Sequence, residues 1–114
     1  MKLEINRRKW KRGPGDSALL MPKGSEFAGQ MCCLGFLARA VGHTRKEIYS
    51  YFKPSELDAP KGFIVDNLSG KDGYDNKLCN KLMEVNDDNK IDDTKREGLL
   101  TKLFKKIGVN VVFV

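Results

Sequence analysis

The chain is short of long apolar runs, of histidine and of ordered cysteine spacing, and each shortage removes a class of protein. No stretch approaches the roughly 20 apolar residues that cross a bilayer. The opening MKLEINRRKWKRG carries charge but no apolar h-region, so it does not read as a signal peptide. Cys32 and Cys33 are adjacent and Cys79 is left over, which gives no disulfide framework because neighbouring residues bridge only with strain. That cysteine usage fits a reducing compartment, and the cytoplasm is the expected location. There is no GxGxxG or GxxxxGK phosphate loop, no CxxC or HxxxH metal spacing and no internal repeat. A single histidine, His43, leaves little for acid–base chemistry to draw on.

What is present is ordinary for a globular chain: 114 residues, 40% of them hydrophobic and 32% charged. That is one domain's worth, residues 1–114, and enough to bury a core without metals or disulfides. The net charge of +6 is concentrated at one end, where Lys2, Arg7, Arg8, Lys9, Lys11 and Arg12 face Glu4 alone. The basic character therefore belongs to one N-terminal segment, residues 7–12, and its meaning is local.

Leu3 and Ile5 alternate with Lys2, Glu4 and Asn6, the pattern of a half-buried strand. Arg12-Gly13-Pro14-Gly15-Asp16 breaks it, and Ser17–Met21 suggests a second strand closed by Pro22-Lys23-Gly24. Met31–Phe52 is the densest apolar stretch and reads as two helices. The first spans about 31–41 and stops at Gly42; the second is capped by Thr44 with Glu47 completing a capping box, and Pro54 ends it. A polar loop follows over Lys53–Gly62, with room for one short helical turn at Pro54–Leu57. Phe63-Ile64-Val65 suggests a strand or a loop plug, and Ser69–Asp75 a flexible connection. Leu78, Leu82 and Val85 mark an amphipathic helix over about 76–85, broken by Asn86-Asp87-Asp88-Asn89. Asp92 caps a last helix with the stripe Leu99, Leu100, Leu103, Phe104 and Ile107, ended by Gly108. Val109–Val114 is β-branched and apolar on both faces, so it reads as a buried strand, paired with Leu3–Arg7. The expected fold is α+β: a small sheet including the N- and C-terminal strands, packed against three to four helices.

Three chemistries compete. Cys32 and Cys33 open a helix, where its dipole would favour a thiolate, so a cysteine-dependent hydrolase is one alternative. Its base is missing, because His43 lies ten residues beyond Cys33 on the same helix, ~15 Å away at 1.5 Å per residue. Both cysteines then read more simply as small buried hydrophobes. No metal site organises Cys32, Cys33, Cys79 and His43. The calcium-loop register Glu84, Asn86, Asp88 ends on Lys95 where a bidentate glutamate belongs. No cofactor is expected.

A second alternative is a helix-turn-helix DNA reader. Ala38 allows a close crossing, Gly42 a sharp turn, and Arg45, Lys46 and Tyr49 would face the groove. His43 departs from the pattern, which wants an apolar side chain in the turn. The third candidate is the basic segment itself: Arg7, Arg8, Lys9, Trp10, Lys11 and Arg12 interleave one aromatic with five cations, which suits phosphate neutralisation and base stacking. An anionic protein or ligand would use the same residues, and a solvated strand end with Trp10 packed on the core is the structural alternative.

MCCLGFLARAVG, KPSEL, LCNKLMEVNDD and KREGLLTKLFKKIGVNVVFV resemble a set of small uncharacterised proteins encoded by tailed bacteriophages. The shared features are Met31-Cys32-Cys33-Leu34-Gly35, Asn86-Asp87-Asp88 and a last helix leading to Phe113-Val114, over about two thirds of the chain. The resemblance implies a non-structural accessory protein in the cytoplasm of an infected bacterium, and it carries no catalytic residues to transfer. The basic segment is not part of the shared pattern. Small early phage proteins commonly occupy a host target. The expected function is therefore non-enzymatic binding of a host protein or anionic ligand, for host takeover or inhibition of an antiviral system. Nucleic acid is a further possible partner through the basic segment, and no membrane is expected.

Overall fold

The computed structural model describes residues 1–69 and 76–114. The connection expected over Ser69–Asp75 lies, beyond Ser69, outside them. The alternation at the start becomes β1 (Lys2–Ile5), with Leu3 and Ile5 buried and Lys2 and Glu4 exposed. β1 pairs in parallel with β2 (Asn110–Phe113), setting Leu3 opposite Val111 and Ile5 opposite Phe113. The ladder continues past β1, where the Arg7 N–H donates to Val114 O at 2.8 Å. First and last strands thus pair as the α+β reading expects. The expectation that Val109–Val114 is buried on both faces is corrected. Only Val109 is buried, Val111 and Phe113 are half-buried, and Val112 is 40% exposed. A sheet of two strands is all edge, and helices cover only one face.

Five α-helices are seen among the described residues. α1 (Cys33–Ala40) is the central one, with Cys33 to Ala38 all buried. Gly35 lets it come close to the preceding segment, since a Cβ there would sit 1.9 Å from Leu19 O. Gly42, at φ +112°, turns the chain out of the helix. The next helix departs from expectation. α2 is a single turn, Arg45–Ile48, because Ser50 adopts a left-handed conformation (φ 66°) and redirects the chain. The Ser50 N–H then donates to Leu20 O, and the Leu19 N–H to Tyr51 O. Ser17–Met21 is accordingly not a strand. It contributes one parallel bridge, Leu20 to Tyr49, because the segment leaving α2 offers no longer extended partner.

Pro54–Glu56 forms one 3₁₀ turn. Phe63-Ile64-Val65, read as a strand or plug, lies instead in helix α3 (Gly62–Leu68), which buries Ile64 and Leu68 four residues apart. α4 (Lys77–Asp87) is capped by Asn76 and runs two residues beyond Val85. α5 (Asp93–Lys105) starts at the expected cap, Asp92. The extension of α4 has a donor behind it. The Arg96 guanidinium is buried, and its Nη1 donates to the carbonyls of Val85 (2.8 Å), Asn86 (3.0 Å) and Asp88 (2.8 Å). These are carbonyls that a helix end leaves without intrahelical partners. α1 packs on β1 and α4, while α5 packs on α4 and β2, closing the core around Phe104, Leu100, Leu34 and Leu37.

Asn86 locks this arrangement from inside. Its Oδ1 accepts from Trp10 Nε1 at 2.8 Å and from the Cys33 N–H at 3.0 Å. Its Nδ2 donates to Lys11 O at 3.0 Å and Asp87 Oδ1 at 2.9 Å. One buried amide therefore joins the N-terminal segment, the start of α1 and the end of α4. Among the described residues no helix is long and apolar enough to cross a membrane.

Candidate functional site

The basic segment is largely taken up by the fold. Arg7 forms a two-pronged ion pair with Glu97 of α5 (Nε 2.9 Å, Nη2 2.7 Å) and donates through Nη1 to Phe113 O. Arg12 reaches Asp93 at 3.1 Å and lies over the Trp10 ring, 4.5 Å from its centroid. Arg12, helped by Arg96, holds the Asp93 carboxyl below its usual range. Lys11 is buried, with its ammonium on Pro14 O and over the Phe27 ring. Trp10 is only 2% exposed, and its ring packs on Phe113. Its face is not offered to an unpaired base. Of the six candidates, Arg8 and Lys9 keep exposed side chains with no partner among the described residues.

The cysteines sit in the core. Burial pushes the Cys32 thiol up to about 12 and the Cys33 thiol well above its ordinary value, so neither supplies a thiolate at neutral pH. Cys33 Sγ points to Leu82 O at 3.9 Å. His43 is fully buried at the far end of α1. Its Nε2 accepts from the Lys61 N–H at 3.0 Å, which leaves the proton on Nδ1, donated to Glu47 Oε2 at 3.1 Å. The residue that departs from the helix-turn-helix pattern is thus the anchor for the chain entering α3. Among the described residues no cluster of three or more His, Cys, Asp or Glu side chains could hold a metal ion.

The capping box at α2 forms in full: Glu47 N–H donates to Thr44 Oγ1 and Thr44 N–H to Glu47 Oε1. The Thr44 backbone and His43 donors lower the Glu47 pKa to about 2. As a groove reader, however, α2 is short. Four residues span ~6 Å at 1.5 Å per residue, against the multi-turn recognition helix of a helix-turn-helix protein.

Arg45, Lys46 and Tyr49 nevertheless come together with residues that the sequence does not link to them. They line, with Leu20 and Lys23, an open cleft of about 560 Å³. One wall is α2 and the residue just beyond it. The other is the loop 21–30, tied by Gly29 N–H to Met21 O and Met21 N–H to Gln30 O. The Arg45 guanidinium lies against Gly29, 3.8 Å from where a Cβ would stand. Tyr49 is 41% exposed, and its hydroxyl accepts from the Lys23 N–H at 2.9 Å. Lys23, Arg45 and Lys46 make no ion pair among the described residues; Glu47 is engaged by Thr44 and His43, and Glu26, exposed on the loop 21–30, is not in the cleft lining. Lys23 carries no local signal beyond a Pro-Lys-Gly turn. The Leu20–Tyr49 bridge, the Ser50 N–H on Leu20 O and the Lys23 N–H on the Tyr49 hydroxyl bring it to α2.

Comparison with family models, with curated proteins and with solved structures finds no match.

Proposed function

We propose that this chain is a non-enzymatic binding protein whose contact surface is the cleft of Lys23, Arg45, Lys46 and Tyr49, and whose partner is anionic. One observation carries the reading: three cationic residues line an open, largely apolar cleft with no carboxylate in its lining. Clustered like charge costs stability unless a partner neutralises it, whereas Arg7 and Arg12 of the N-terminal segment already have carboxylates at Glu97 and Asp93. The phage resemblance supports a host macromolecule as that partner, engaged for takeover or to block an antiviral system.

Affinity capture from bacterial cells with three forms of the protein tests this. Wild type and the Arg8→Ala/Lys9→Ala variant should retain the same anionic partner, in a complex that weakens at high salt. The Lys23→Ala/Arg45→Ala/Lys46→Ala variant should lose it while keeping native Trp10 fluorescence. Retention by the folded triple variant would sink the proposal.

A further inference from the structure

We infer that the cleft takes single-stranded nucleic acid, with one base laid on the Tyr49 ring and the adjoining phosphates on Lys23, Arg45 and Lys46. The inference rests on the anionic reading above and names its ligand class. Charge alone does not choose among anions; the composition of the cleft does. Its lining exposes mostly carbon, with Tyr49 41% exposed and Leu20 buried, alongside the three cationic residues. An acidic peptide or a bare phosphate would satisfy the cations and leave that carbon surface wet. A nucleotide covers both, since every base has an apolar π-face and every link a phosphate. The cleft volume, about 560 Å³, lies within the roughly 300–1,000 Å³ of small-ligand sites, large enough for a nucleotide unit.

Tyr49 is also held ready. Its backbone is bridged to Leu20, its hydroxyl is fixed by the Lys23 N–H, and Ser50 beside it holds the left-handed conformation that ends α2. A ring restrained at both ends loses little freedom when a base stacks on it. A left-handed non-glycine residue directly after the exposed aromatic is the kind of local strain that collects at binding sites. Duplex DNA fits less well, because its bases are already stacked and α2 is one turn long.

Fluorescence anisotropy with short labelled oligothymidylate, oligouridylate, a duplex and polyglutamate tests the assignment at low and physiological salt. Both single strands should bind more tightly than the duplex or polyglutamate, with affinity falling as salt rises. Tyr49→Leu should weaken single-strand binding about tenfold, while Tyr49→Phe, which keeps the ring, should bind nearly as wild type does. Lys46→Ala should reduce the salt slope by about 0.7, the contribution of one phosphate on a single strand. If polyglutamate or duplex binds as well as the oligonucleotides, or Tyr49→Leu binds them unchanged, the nucleic-acid assignment fails and the anionic cleft stands. If no polyanion binds wild type even at low salt, both fail.

Discussion

Asn86 ties three separate parts of this fold together through one buried side-chain amide. Its amide accepts from Trp10 and Cys33 and donates to Lys11 and Asp87 while 1% exposed. Asn86→Ala would leave the indole N–H, the Cys33 N–H and the Lys11 carbonyl buried without partners. At about 1–3 kcal/mol for each such group, the expected loss is about 3 kcal/mol or more. Urea unfolding followed by the fluorescence of the single tryptophan would read it; a midpoint within error of wild type would show that the hub is dispensable. Nothing local marks Asn86 as buried. Asn-Asp-Asp-Asn has the composition of a turn, and the chain reads as a helix breaker until Trp10 and α1 close over its first residue.

Elements defined by neighbouring residues are the ones legible in the sequence. The Thr44–Glu47 capping box, the Asp92 cap and the Gly42 stop each need partners within a few residues, and all three form as read. α3 was not legible, because Lys61 provides no side-chain cap and Phe63-Ile64-Val65 favours a strand. Its helix is imposed from outside, by burial of Ile64 and Leu68 and by His43 accepting from the Lys61 backbone. The cap at α2 predicts a pH effect. Glu47 has a folded pKa of about 2, lowered from 4.5, so its contribution is complete above pH 4.5 and is lost as pH falls toward 2. Stability measured across that window should slope downward with acid in wild type and slope less in Glu47→Gln. An identical acid slope in the two proteins would remove Glu47 from the account.

Across the whole molecule, charge divides into a structural and an uncommitted share. Arg7 and Arg12 clip the N-terminal segment to α5 through Glu97 and Asp93, whereas Arg8, Lys9, Lys23, Arg45 and Lys46 hold no carboxylate among the described residues. Composition showed the excess of positive charge but not this division, since the partners lie 81 and 90 positions away along the chain. Neutralising all five cations of residues 7–12 would therefore mix folding with binding. Arg7→Ala/Arg12→Ala should lower the thermal midpoint and expose Trp10 to quencher, and Arg8→Ala/Lys9→Ala should do neither. Equal midpoints for the two variants would mean that the ion pairs to α5 contribute nothing.

The parallel pairing of the first and last strands has a mechanical consequence. β1 and β2 point the same way, so residue 1 lies at the foot of one strand and residue 114 at the head of the other. Opposed tension on these two residues runs along the strands and loads the ladder bonds together in shear. They cannot open one after another. Force applied between Glu4 and Val112, which face each other in the register, instead peels the ladder from the side. Single-molecule pulling should give a higher rupture force through residues 1 and 114 than through 4 and 112. Tension held between residues 1 and 114 must therefore shear a clasp that a sideways pull would unpick.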